Sequence, residues 1–350
     1  MDSKEDADID IPTGILRKYF VADAHLDLLF DVEKQRSYGR RRVIASDYLP
    51  GFEEGGVNLV VSSLYIDDIF LPEMALRRAL NQVSALYGEI EETGEKLMLC
   101  KSYSDIIAAR ESGKLGILLS FEGVEPLYND ISLLRVFYEL GLRIVGLVWS
   151  RRNFAGDGSR FSEAATGNGG GLTDFGFELV REAENLGMLI DLSHLNDEGF
   201  WDAIDVARKP VIASHSNCRT LNSIGRNLTD EQIRAIASKD GVIGINASSI
   251  LVAGRDEDAN LDFLVNHIDH IVDLVGPGHV GLGFDLCNRL FSHISFEAIK
   301  GITRKPFDVL EGHKDMNLLV DRLLDRGYGE NEIGQILGDN FLRVYEQVLK

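Results

Sequence analysis

Eight short apolar runs, each separated from the next by a long stretch of chain, constrain this sequence more than any other feature. They fall at residues 21–25, 57–66, 115–121, 143–149, 188–194, 210–215, 241–246 and 279–285. Several are near-continuous in Val, Ile and Leu, as parallel strands covered on both faces must be. Parallel neighbours cannot be joined by a hairpin and need a crossover, usually a helix. The intervening segments have that character. Residues 72–93 carry Met74, Leu76, Leu80, Val83, Leu86 and Ile90 as an apolar stripe. Thr173 and Thr229 stand at N-cap positions with acids after them. The segment 173–186 stops before Gly187, and 262–275 stops before Gly276-Pro277. Further helices are expected at 132–140, 314–326, 331–337 and 340–349.

Strands alternating with helices in this way predict an α/β fold, a (β/α)8 TIM-type barrel with extra C-terminal helices; an open doubly wound sheet is the alternative. The 350 residues fit one such domain. Residues 1–15 are expected to form a flexible N-terminal extension, and the glycine-rich stretch 167–172 a mobile loop.

The chain has 56 acidic against 36 basic residues, a net charge of -20. A phosphate-binding face must be basic, so neither nucleic acid nor an anionic membrane surface is an expected partner. No apolar run reaches the roughly 18 residues of a membrane span. The opening Met1-Asp2-Ser3-Lys4-Glu5-Asp6 has neither part of a secretory signal. Cys100, Cys218 and Cys287 are too few and too scattered for a disulfide framework or a zinc ribbon. The expected setting is the cytoplasm, and a homodimer is the expected assembly.

In a barrel of this kind the chemistry lies at the C-terminal ends of the strands. Three of the eight histidines, His25, His194 and His215, close expected strands. His25 and Asp27 are two apart, which on a strand turns both to one face, and both are ordinary zinc ligands. Glu122 ends a buried run, where a carboxylate is costly unless paired or metal-bound. Asp285 closes the last run beside small residues that leave room for a substrate; it suits a fifth ligand, a buried structural carboxylate or a general base, the base role being favoured. His267 and His270, at i,i+3 on an outer helix, read as surface rather than as a metal pair, and His279 reads as structural. His293 and His313 have no assignment.

Taken in order, Asp23-Ala24-His25-Leu26-Asp27, Glu122-Gly123, Asp191-Leu192-Ser193-His194, Ser214-His215-Ser216, Gly225-Arg226-Asn227 and Gly281-Leu282-Gly283-Phe284-Asp285 resemble the membrane (renal) dipeptidase family. That family comprises zinc metallopeptidases among the amidohydrolase-like barrels. The resemblance runs from about Val21 to the closing Gly338-Asp339-Asn340-Phe341 and beyond. It implies two divalent metal ions, zinc, that share a hydroxide. His25 and Asp27 would hold one ion, His194 and His215 the other, and Glu122 would bridge them. Asp285 would carry the proton, and Arg226 would grip the carboxylate of a small dipeptide, with a D-residue at the C-terminal position among the expected substrates.

The sequence departs from that pattern. Trp149 stands where many members have a substrate-contacting His, and Trp offers a single N–H donor. Either another group takes over that contact, with Arg151 and Arg152 as nearby candidates, or the rate or the substrate differs. Asp285 is followed by Leu286-Cys287-Asn288, and the segment 286–311 is longer than usual. The secretion signal, lipid anchor and disulfide cysteines of animal members do not occur in this sequence. The expected activity is metal-dependent dipeptide hydrolysis. The alternatives are an amidohydrolase acting on N-acyl amino acids, lactams or lactones, and a metal-loaded binding protein without turnover.

Overall fold

A computed structural model of the chain describes residues 11–161, 169–292 and 304–350. Its sheet contains β1 Ala22–Leu26, β2 Leu59–Leu64, β3 Leu97–Leu99, β4 Leu115–Glu122, β5 Leu142–Gly146, β6 Leu189–Asp191, β7 Val211–Ala213, β8 Val242–Ile245 and β9 Val280–Leu282. All pairings are parallel. β2 pairs with both β1 and β4, and β1 pairs with β9, so eight strands close into a barrel. Each of the eight apolar runs supplies one of them. The ninth, β3, was not expected. It is three residues long and covers the edge of β4 at Leu115–Ile117, before β5 takes over that edge at Leu119.

The helices begin and end where local chemistry dictates. The Thr229 hydroxyl accepts from the Gln232 amide at 3.2 Å while the Gln232 side chain accepts from the Thr229 amide at 2.9 Å. At Asp174–Leu186 the Thr173 hydroxyl caps the start by accepting from the Gly176 amide at 3.1 Å, and Gly187, at φ +82°, ends it. At the N-terminus the expected flexible extension, 1–15, is corrected for residues 11–15 alone. Ile11–Lys18 is a helix whose Ile15 and Leu16 are buried in the main core. Residues 1–10 lie outside the described residues, as do residues 167 and 168 of the expected mobile loop. Its described end is tied down, with Gly170 N–H donating to Asp157 and Leu172 N–H to Asp202.

Two apolar clusters hold the fold. The larger lies between the strands and the surrounding helices. The smaller fills the barrel, with Leu59, Leu118, Ile144, Leu189, Ile212 and Val242 forming a floor. Phe341 and Tyr345 of the helix Asn340–Val348 stop it from below. Above the floor, at the C-terminal ends of the strands, the interior turns polar.

Candidate active site

β1 delivers His25 through an irregularity. Its register against β2 shifts between Asp23 and Leu26. Asp23 bonds His313 Nε2 at 2.6 Å and accepts from the amides of His25 and Phe284, whereas His25 Nε2 faces Glu122 Oε1 at 3.7 Å. Asp27 lies beyond the strand end, at the start of the helix Leu28–Ser37. The strand-alternation argument for His25 and Asp27 is therefore corrected. The chain turns at Asp27, and its carboxylate accepts from the Ser63 hydroxyl beside Glu122.

Glu122, at the last position of β4, is the centre of the cluster. Its Oε1 lies 2.9 Å from His194 Nε2 and 3.6 Å from His215 Nε2. The two histidine Nε2 atoms are 2.8 Å apart, and the ring of His25 stacks on that of His215 at 3.6 Å. His194 and Asp285 both adopt left-handed backbone, at φ +69° and +55°. Non-glycine residues rarely do so, and such strain gathers at functional sites.

A buried polar scaffold orients the rings. Ser214 Oγ donates to Asp191 Oδ2 at 2.5 Å and meets His215 Nδ1 at 2.7 Å. A hydroxyl has one proton, so the second contact makes His215 Nδ1 the donor. The Nε2 lone pair of His215 is then left facing the cluster. Gly244 and Gly283 press against the Ser214 carbonyl so closely that a Cβ on either would collide with it. The expected reading of Gly283 as room for substrate is corrected: its space is taken by the Ser214 carbonyl just past β7.

The electrostatics describe a site built for cations. Burial, with Arg226 nearby, lowers the pKa of His25 to about 3 and keeps His194 and His215 well below the imidazole range. Burial and the charges of Asp27 and Asp285 push Glu122 well above the carboxylate range. Burial and Asp27 do the same to Asp285. Neutral imidazoles and carboxylates that resist ionising together would both be relieved by a divalent ion. Among the described residues His25 Nε2 and Glu122 Oε2 are buried with no hydrogen-bond partner. One ligand atom each from His25, Glu122 and His215 fall within 4.8 Å of one another. The donor set therefore fits divalent metal.

Arg226 and Asp285 line the same cavity as Asp27, Glu122 and His194. Arg226 is buried; it donates to Ser216 Oγ at 2.9 Å and to the His215 carbonyl at 2.7 Å, while its Nε has no partner. Burial pushes its pKa down to about 10, which leaves it cationic at neutral pH. It makes no ion pair within 4 Å among the described residues.

The residues 12–350 match the model of the membrane dipeptidase family, peptidase family M19. The chain belongs to that family. It is 33% identical over 271 residues, 76% of this chain and 94% of the relative, to an uncharacterized protein in the pqqA 5' region of Klebsiella pneumoniae. To the dipeptidase tcpJ of Claviceps purpurea it is 30% identical over 274 residues, 78% of this chain and 60% of that one. Among solved structures it is similar to a metallopeptidase from Rhodobacter sphaeroides bound to a phosphinate mimic of L-Ala-D-Ala. The TM-score is 0.81 and the identity 25%, with 94% of this chain and 99% of that one covered. As a member of the membrane dipeptidase family the protein is a metal-binding hydrolase of peptide bonds.

Within this membrane dipeptidase fold, Trp149 lines the cavity, its ring 5.9 Å from that of His194. The two arginines that were candidates to stand in for the missing His are held by other partners. Arg151 is committed to Glu125 at 2.7 Å, Asp68 at 3.0 Å and the Ile66 carbonyl at 2.8 Å. Arg152 is exposed and pairs with Asp157. Other contributors had no signal of their own in the sequence. Asn246, at the end of β8, donates to Asp285 Oδ2 at 3.0 Å and is itself fixed by Asn217. Ser150 meets His194 Nδ1 at 2.8 Å. His313, left unassigned, is the buried partner of Asp23; His293 lies outside the described residues. No described helix is long and apolar enough to cross a membrane.

Proposed function

We propose that the protein hydrolyses small dipeptides with two divalent ions, zinc, held by His25 and Asp27, by His194 and His215, and by Glu122 between them. The observation that carries this reading is the meeting of three buried imidazoles on Glu122, which with His194, Arg226 and Asp285 lines one cavity. When bound, the ions would supply an activated water at neutral pH and polarise the scissile carbonyl. Asp191 and Ser214 hold His215 in the tautomer that presents Nε2. Asp285, aimed by Asn246, takes the proton released on attack at its free carboxylate oxygen and returns it to the leaving amine. Arg226 anchors the substrate's C-terminal carboxylate; a buried guanidinium without an acidic partner suits such a group. Dipeptides with a D-residue in the second position belong to the proposed range, supported by the mimic bound to the Rhodobacter sphaeroides relative. The proposed setting is the cytoplasm.

The test is hydrolysis of a panel of L,L- and L,D-dipeptides, each with a free or an amidated C-terminus, after zinc loading and elemental analysis. Close to two ions per chain and a strong preference for free carboxylates are expected. Arg226→Ala should remove that preference, and Lys should restore only part of it, having no planar fork. Cleavage of N-acyl amino acids, lactams or lactones in place of dipeptides would overturn the reading in favour of a broader amidohydrolase.

A further inference from the structure

The side of the cavity away from Arg226 is walled by rings. Arg226 follows β7. Phe30 follows β1, Tyr65 follows β2 and Trp149 follows β5, and β2 stands across the barrel from β7. Phe30 lies edge-on to Tyr65 with centroids 5.4 Å apart, Tyr65 is 5.4 Å from Trp149, and Trp149 is 5.8 Å from Phe161. All four line the cavity. Proton transfer and metal binding have no use for the indole of Trp149 or the phenyl rings of Phe30 and Phe161, which neither ligate nor take a proton at neutral pH.

The wall is held rigid from behind. The Arg151 guanidinium lies 5.0 Å from the Trp149 ring and 5.5 Å from the Tyr65 ring. Arg151 is itself locked by Glu125, Asp68 and the Ile66 carbonyl. A ligand that packs there does not have to order the rings first, which favours affinity. Apolar contact with such surface is favourable in proportion to the area covered.

We infer that this wall receives the side chain of the substrate's N-terminal residue, and that the protein prefers dipeptides beginning with an aromatic or large apolar residue. The inference rests on the dipeptidase reading above. With the C-terminal carboxylate anchored at Arg226 on the β7 side, the first residue extends toward β2. Trp149 then sets specificity instead of contacting the reacting carbonyl.

The experiment compares kcat/KM of the zinc-loaded protein for Phe-Gly, Leu-Gly, Ala-Gly and Gly-Phe. Phe-Gly should exceed Ala-Gly by roughly 10-fold or more, and Gly-Phe should gain no such advantage. In Trp149→Ala the Phe-Gly to Ala-Gly ratio should fall toward one. Trp149→Leu, which keeps an apolar wall, should retain part of it and serves if the alanine variant folds poorly. Equal rates on Phe-Gly and Ala-Gly, or a preference for Gly-Phe, would overturn the inference while leaving the dipeptidase reading intact. Failure to hydrolyse any dipeptide would overturn both.

Discussion

His215 at the barrel mouth and His267 on the helix Leu261–Val275 are both fully buried, and burial lowers the pKa of both. Their partners separate them. His267 Nδ1 accepts from the Cys218 amide at 3.1 Å, so its Nε2–H donates to the Val252 carbonyl at 2.8 Å. Every polar atom of that ring is used, and no ligand is needed. His215 has only Nδ1 bonded to its scaffold, and its Nε2 points at two other histidine rings and a carboxylate. Desolvation alone does not separate the two; the proposed ligand role of His215 rests on an Nε2 turned toward other imidazoles and a carboxylate rather than toward a backbone carbonyl. The i,i+3 partner of His267 supports this. His270 turns outward to Asp230 at 2.8 Å and does not meet it at any common point.

The sharpest way to break the comparison is to remove each ring in turn. His215→Ala should lose bound metal and more than roughly 100-fold of activity, since a catalytic metal tolerates ligand loss poorly. Elemental analysis and kcat/KM report this, and full metal occupancy in the variant would put His215 outside the ligand set. Asp285→Asn tests a residue that shares the cavity without being assigned as a ligand. Metal should stay, and kcat should fall by roughly 100-fold or more. Loss of metal would make Asp285 a ligand, and normal turnover would make it structural.

His267→Ala should leave metal content as it was and lower stability instead. It strands the Cys218 amide and the Val252 carbonyl in the core and opens a cavity, for a loss of roughly 2–4 kcal/mol in denaturant unfolding. Metal loss without destabilisation would reverse the assignments of the two rings. The smallest effect expected is on pH dependence. His267 titrates at about 4 when folded, against about 6.5 unfolded. Between those values the unfolded chain binds the extra proton, so stability falls as pH drops through that window and levels off below it. In His267→Gln, compared with the parent in the same metal-loaded state, that slope should be shallower. Identical slopes would show that the ring charges without cost.

What the sequence revealed follows the same division. The eight strands were legible because strands buried on both faces must be apolar throughout. The three mouth histidines were legible because each closes such a run. Asn246 and Ser150 were not, since an amide or hydroxyl at a strand end resembles any loop residue until its partner is placed. His313 and Asp23 are 290 positions apart, and no local pattern could pair them. Arg151 and Arg152 looked like substitutes for a missing His because they are adjacent in sequence to Trp149. Their acidic partners, Asp68 and Glu125 for one and Asp157 for the other, were invisible there, and these direct both cations elsewhere.

The plug beneath the barrel has a consequence for the order of events during synthesis. Phe341 and Tyr345, which fill the interior from below, are made after every strand of the sheet. β1 also waits for β9 to close the ring. A chain still emerging from the ribosome can build helices and neighbouring strand pairs, yet it carries an open, apolar-lined hole until the helix Asn340–Val348 arrives. Such exposed surface is what aggregates and what chaperones bind. Closure therefore waits for the helix Asn340–Val348, and a nascent chain stalled short of Phe341 would be a chaperone client while having every proposed metal ligand already in hand.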